Sequence, residues 1–154
     1  MNLARKSGLP ILRKDFIISP RQIFESRCAG ADAFLLIVRL LDLARLSDFI
    51  AIGRSLGMEA LVETHNEKEV DTALKAGADI IGINHRDLDT LVMDLSLTER
   101  LAPLIRQARP RAVVVAESGV ESKEGRARVE AHADAILIGT ALVKAPSISA
   151  AWHE

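Results

Sequence analysis

Tyrosine is absent from this chain of 154 residues, and Phe16, Phe24, Phe34, Phe49 and Trp152 are its only aromatic side chains. So few rings exclude a base-stacking platform for single-stranded nucleic acid, and the core has to be filled by Ile, Leu, Val and Ala. Neither charge sign dominates. A formal net charge of −1 gives no electrostatic pull toward nucleic acid or a membrane surface. No apolar run approaches the roughly 20 residues that span a bilayer. Met1–Lys6 is basic without the apolar stretch of a secretory signal, so a cytoplasmic location is the expectation. Cys28 is the single cysteine, which excludes an internal disulfide and a multi-cysteine zinc site. Its helical surroundings predict a small buried thiol. His65, His85, His132 and His153 contain no i,i+4 pair, and the carboxylates near them are scattered, so no metal set is expected.

What is present is alternation. Short apolar runs fall at Ile11–Leu12, Ala33–Val38, Ala60–Val62, Ile80–Ile83, Ala112–Ala116 and Ala135–Ile138. They do not alternate with polar residues, which suits strands covered on both faces of a parallel sheet. Between them lie segments with helical spacing: Pro20–Ala29, Leu43–Leu56, Glu67–Ala76, Leu97–Gln107, Lys123–Ala131 and a stub after Ala141. Six βα units in one domain follow, spanning residues 1–154. A phrase repeats at the helix-to-strand junctions, Ala29-Gly30-Ala31-Asp32, Ala76-Gly77-Ala78-Asp79 and Ala131-His132-Ala133-Asp134. Gly30 and Gly77 fit the left-handed position after a helix; at His132 either the backbone accepts a strained φ or the turn differs. Thr64-His65-Asn66-Glu67 and Ser118–Ser122 offer cap residues for the helices they precede. A closed (β/α)₈ barrel needs eight strands and about 250 residues, so this pattern is either an open doubly wound sheet or most of a barrel.

The apolar runs end in polar side chains that a buried strand has no packing reason to carry. Lys14 follows the first run, Glu63 the third, Asn84 and Arg86 the fourth, and Glu117-Ser118 the fifth. Polar groups collected at the C-terminal ends of parallel strands are how such sheets build active sites. Lys14 in an apolar strand mouth is expected to have a lowered pKa and to donate a proton; the alternative is a surface pair with Asp15. Glu63 is expected to be an acid or base with a raised pKa, unless it only bridges to Lys14. An amide at Asn84 orients substrate, and a guanidinium at Arg86 grips a carboxylate or phosphate, with a surface pair to Asp87 as the alternative. Ser118-Gly119 and Gly139-Thr140 close the last two strands, where many eight-fold barrels hold phosphate. His65 and His85 are expected to be cap or wall residues.

With these residues in place, a family resemblance stands out. Leu12-Arg13-Lys14-Asp15-Phe16, Leu61-Val62-Glu63-Thr64-His65, Gly82-Ile83-Asn84-His85-Arg86-Asp87-Leu88, Ala116-Glu117-Ser118-Gly119 and Ile138-Gly139-Thr140 resemble, in order, the indole-3-glycerol phosphate synthases. That resemblance implies a (β/α)₈ barrel, the TIM-barrel class. It also implies an activity in tryptophan biosynthesis: ring closure, decarboxylation and dehydration of a carboxyphenylamino-deoxyribulose phosphate, with no metal or organic cofactor. It implies that Lys14 is the general acid and Glu63 an acid/base, with Asn84 completing the catalytic group. Arg86 and Glu117 would contact substrate, while Ser118, Gly119, Gly139 and Thr140 hold its phosphate.

The family's first strand carries a further Glu and Lys, followed by a Ser-Pro-Ser loop, and nothing here matches them. The expectation is therefore an incomplete barrel of about six βα units, open edges and an apolar interior exposed to water. Such a chain would be weakly active alone, or would pair with a second copy or an N-terminal fragment. The rival reading is a non-catalytic phosphate-binding or assembly module of the same descent. A phosphoribosylanthranilate isomerase is a further rival, but it would not need Lys14-Asp15-Phe16 and Asn84-His85-Arg86 together.

Overall fold

The computed structural model of the chain describes residues 4–144 and 147. Trp152, His153 and most of the segment after Lys144 lie outside the described residues. Six strands run in the order β1 (Leu12–Arg13), β2 (Ala33–Ile37), β3 (Glu59–Thr64), β4 (Ile80–Asn84), β5 (Val113–Glu117) and β6 (Ala135–Leu137). All neighbours are parallel and their order across the sheet is their order in the chain. A doubly wound sheet reverses its strand order at a switch point; this one never does. It is an incomplete TIM barrel of six βα units, and the open-sheet alternative falls.

Helices α1 (Pro20–Cys28), α2 (Leu43–Ser55), α3 (Glu67–Lys75), α4 (Ser96–Ala108), α5 (Lys123–Glu130) and α6 (Thr140–Lys144) follow the strands in turn. Period-two pleating sends alternate residues to opposite faces. Phe34, Leu36, Val62, Ile81, Ile83 and Val114 meet the helices in one large core with Ile23, Leu46, Phe49, Val70, Leu101 and Ile105. The other face packs Leu35, Ile37, Leu61 and Val115 against one another. These four are 8% exposed or less, because side chains on the concave face of a curved sheet converge. Exposure of the apolar interior falls on the half-buried Leu12, Ile80, Leu88 and Leu137 and, at the start of β5, on Val113, which is 39% exposed.

Local chemistry explains where helices begin and end. Asp42, Asn66 and Ser122 cap α2, α3 and α5, each accepting from the backbone N–H three residues on. Gly30 and Gly77 both have φ +85, the left-handed value that the repeated junction predicts. His132 resolves the other way. Its backbone is not left-handed, and the N–H groups of His132 and Ala133 both donate to Val129 O. The Asp of the repeat ties the junction to a neighbouring strand: Asp32 Oδ2 accepts from Ile11 N, and Asp134 Oδ2 from Val114 N, each at 2.8 Å. Cys28 is exposed, contrary to the expected burial. It sits in the last turn of α1, whose buried positions are Ile23 and Ser26.

Candidate active site

The pleat that builds the inner face also aims the polar residues. Leu12, Leu61, Gly82 and Val115 point inward, so two residues later Lys14, Glu63, Asn84 and Glu117 do as well, at the C-terminal mouth. Lys14 Nζ lies 3.2 Å from Glu63 Oε2 and 3.2 Å from Glu117 Oε2. The Lys14 side chain is 43% exposed, whereas the two carboxylates are essentially dry. Asn84 Nδ2 donates to Glu63 Oε1 at 3.0 Å, and its own Oδ1 accepts from Arg86 N at 3.1 Å. Four residues spread over more than a hundred positions therefore form one cluster. Asp15 is no part of it; it pairs with Arg13 at 3.1 Å.

The electrostatics reverse two expectations. Burial pulls the Lys14 ammonium toward neutrality, but Glu117 and Glu63 beside it more than compensate, and its pKa is raised rather than lowered. Glu63 is the carboxyl held down, to about 2: burial opposes ionisation, but the nearby His65 imidazolium, the hydrogen bond from Asn84 and the charge of Lys14 outweigh it. Glu117 is the carboxyl pushed up, to about 7, by burial and then by the negative Glu63, with Lys14 only partly offsetting. Two carboxyls sharing one ammonium are thus driven apart, one kept as a base and one near neutrality as an acid.

His65 is a charged partner rather than a cap. Its Nδ1 is 2.9 Å from Glu69 Oε2. Its Nε2 is 3.4 Å from Glu63 Oε1 but off the line of a hydrogen bond, so that contact is chiefly charge on charge. Burial disfavours the imidazolium, yet the two carboxylates raise its pKa to about 9. Glu69 was not among the sequence candidates; its signal was the i,i+4 spacing from His65 across the start of α3.

Gly82 was also missed, and no turn requires it. A Cβ there would stand 1.9 Å from Glu117 Oε1. The bare glycine makes room for the carboxyl, whose buried Oε1 has no hydrogen-bond partner among the described residues.

Above the cluster opens a cleft of about 270 Å³, whose walls include Lys14, Arg86, Ser118, Gly119, Gly139 and Thr140. Arg86 and the four expected phosphate residues are therefore neighbours, while Glu63, Asn84 and also Glu117, expected to contact substrate, are not on the cleft wall. Arg86 makes no side-chain ion pair among the described residues. Asp87 does not anchor it, because Asp87 Oδ1 accepts from the N–H groups of Asp89 and Thr90. Ser118 has φ +67 and Gly119 φ +73. Left-handed backbone costs a side-chain-bearing residue about 1 kcal/mol, and such strain gathers where function needs it.

A sequence-family model for indole-3-glycerol phosphate synthase matches residues 1–154. The chain belongs to the indole-3-glycerol phosphate synthase family. Indole-3-glycerol phosphate synthases of Dehalococcoides mccartyi and Roseiflexus sp. are similar to it at 47% and 52% identity, over 96% and 95% of the chain. The match covers 56% and 54% of those proteins. That of Carboxydothermus hydrogenoformans is 52% identical over 90% of the chain and 52% of its own length. The chain spans about half the length of the curated relatives it matches. Among solved structures, the YdjI aldolase of Escherichia coli K12 superposes with a TM-score of 0.64 at 15% identity, over 93% of this chain and 57% of the aldolase; that likeness concerns the fold alone. No helix among the described residues is long and apolar enough to cross a membrane.

Proposed function

We propose that this chain carries the general-acid lysine, the acid–base carboxyls and the phosphate cleft of an indole-3-glycerol phosphate synthase. The observation that supports this most is Lys14 Nζ, held 3.2 Å from each of two carboxyls with opposite pKa shifts at the edge of a cleft that also holds Arg86. The substrate is a phosphorylated carboxyphenylamino-deoxyribulose. Its phosphate is held by Ser118, Gly119, Gly139 and Thr140, and Arg86 grips an anionic group in two-point fashion. Lys14 gives its proton to the substrate's carbonyl oxygen as the ring closes, its ammonium kept charged until then by its two neighbours. Loss of carbon dioxide and then of water completes the indole. Glu63 takes a proton as the ionised base, Glu117 exchanges one near neutral pH, and Asn84 keeps Glu63 aimed.

The further Glu and Lys of the family's first strand have no counterpart in this chain, so full turnover needs two more βα units paired along an open sheet edge, from whatever source. The reading carries a cytoplasmic location, where such intermediates are made. The test is formation of fluorescent indole-glycerol phosphate by the chain alone, and by the chain mixed with a separately produced fragment of the first two βα units from a relative. Weak or absent turnover alone, restored by the fragment, is the expected result. Turnover alone at the rate of an intact family member would refute the need for a partner segment. No turnover in either case, with phosphate still bound, would favour the non-catalytic module, which the intact cleft also fits.

A further inference from the structure

His85 is wholly buried, and the chemistry proposed above gives it no task. By strand alternation it points outward from β4, away from Asn84 and toward α4. Its Nδ1 is 2.9 Å from Ser118 O, and its Nε2 is 2.6 Å from Thr98 Oγ1. A carbonyl oxygen can only accept, so Nδ1 carries the proton, and the bare Nε2 accepts from the Thr98 hydroxyl. The His85 backbone adds to this. Its N–H donates to Glu117 O at 2.9 Å, and its C=O accepts from Asp94 N at 2.9 Å. One residue thus holds two successive carbonyls, those of Glu117 and of the left-handed Ser118.

The consequence lies on the far side of the peptide plane. The Ser118–Gly119 bond is trans, since the described residues contain no cis peptide. In a trans peptide the C=O and the N–H point in opposite directions. With Ser118 O drawn outward to the imidazole, the Gly119 N–H is turned back toward the cleft that Gly119 lines. That N–H has no acceptor among the described residues. A backbone N–H presented at a cleft is an anion donor, and the strained φ of Ser118 persists because the imidazole holds the carbonyl.

We infer that His85 is a positioning residue for the phosphate site: its Nδ1–H pulls the Ser118 carbonyl out of the cleft and thereby aims the Gly119 N–H at a bound phosphate. The inference rests on the phosphate reading of the cleft. Burial holds the His85 pKa below its ordinary value, so the ring stays neutral; the Ser118 carbonyl sets its tautomer and the Thr98 hydroxyl anchors Nε2.

Asparagine and glutamine separate this role from simple packing. The Asn side-chain NH₂ falls where imidazole Nδ1 does, and that of Gln falls where Nε2 does. The full chain is titrated with inorganic phosphate, read by calorimetry and by the Gly119 amide shift, for wild type, His85→Asn, His85→Gln and His85→Leu. Wild type and His85→Asn are expected to bind within about threefold of each other, with the Gly119 amide moving on binding. His85→Gln and His85→Leu are expected to bind about tenfold more weakly, the loss of one charge-assisted hydrogen bond. Equal binding by the Asn and Gln variants overturns the inference, as does an Nε2–H tautomer in the imidazole nitrogen spectrum of wild type. If a His85 variant fails to fold, Thr98→Val takes its place. It leaves the ring intact but removes the hydroxyl that anchors Nε2 and so steadies the aim of Nδ1–H: about threefold weaker binding supports the inference and unchanged binding overturns it. Wild type that binds no phosphate defeats the phosphate reading and the inference together, whereas binding indifferent to His85 defeats the inference alone.

Discussion

Glu117→Gln replaces a carboxyl that resists ionisation by a neutral amide of the same shape. In the fold the Glu117 pKa stands at about 7 against an ordinary 4.5, because burial and the adjacent Glu63 favour the protonated form. The unfolded chain therefore gives up this proton first as pH rises. Stability falls from about pH 4.5 to about pH 7 and stays lower above that. The separation of the two values corresponds to about 3 kcal/mol. The amide has nothing to ionise and escapes this loss. Glu63 contributes stability that is lost as pH falls from 4.5 toward 2, and His65 contributes stability lost as pH rises through about 9. Both dependences are common to the two proteins and cancel, to first order, in their difference. Urea unfolding of wild type and variant between pH 5 and pH 8 is the assay. The variant is expected to gain about 2 to 3 kcal/mol on wild type across that range. A gap that stays constant, or narrows as pH rises, would show that Glu117 is ionised in the fold like any surface carboxylate.

Two more perturbations address the same cluster. Gly82→Ala brings a methyl to 1.9 Å from Glu117 Oε1 and should cost about 1–3 kcal/mol by overpacking. The same change in a Glu117→Ala background should cost far less, and equal costs in a double-mutant cycle would rule out the clash. His65→Leu removes the cation that helps hold Glu63 ionised, so acid unfolding followed by circular dichroism should begin about one pH unit higher. An unmoved acid midpoint would mean that Lys14 and Asn84 alone keep Glu63 charged.

Much of this protein is written locally. Six apolar runs separated by amphipathic segments read as βα units because pleat and helix periods differ. Gly30 and Gly77 mark helix ends because only a residue without Cβ turns left-handed there at no cost, and Lys14, Glu63, Asn84 and Glu117 are visible as polar residues ending apolar strands. Tertiary structure decided what they do to one another. Which of two carboxyls is held ionised and which is pushed toward neutrality depends on contacts that Lys14 makes with residues 49 and 103 positions away in sequence, and no local pattern encodes such a distance. The exposure of Cys28, the ordinary backbone at His132 and the freedom of Arg86 from Asp87 depend likewise on where neighbouring elements come to rest. Gly82 and His85 show it most plainly: one is needed for the space that a carboxyl from β5 fills, the other for a carbonyl 33 residues away. Strand and helix formation is short-range sterics and burial, legible in order along the chain, whereas charge state and loop geometry arise from contacts that exist only once the sheet has curved.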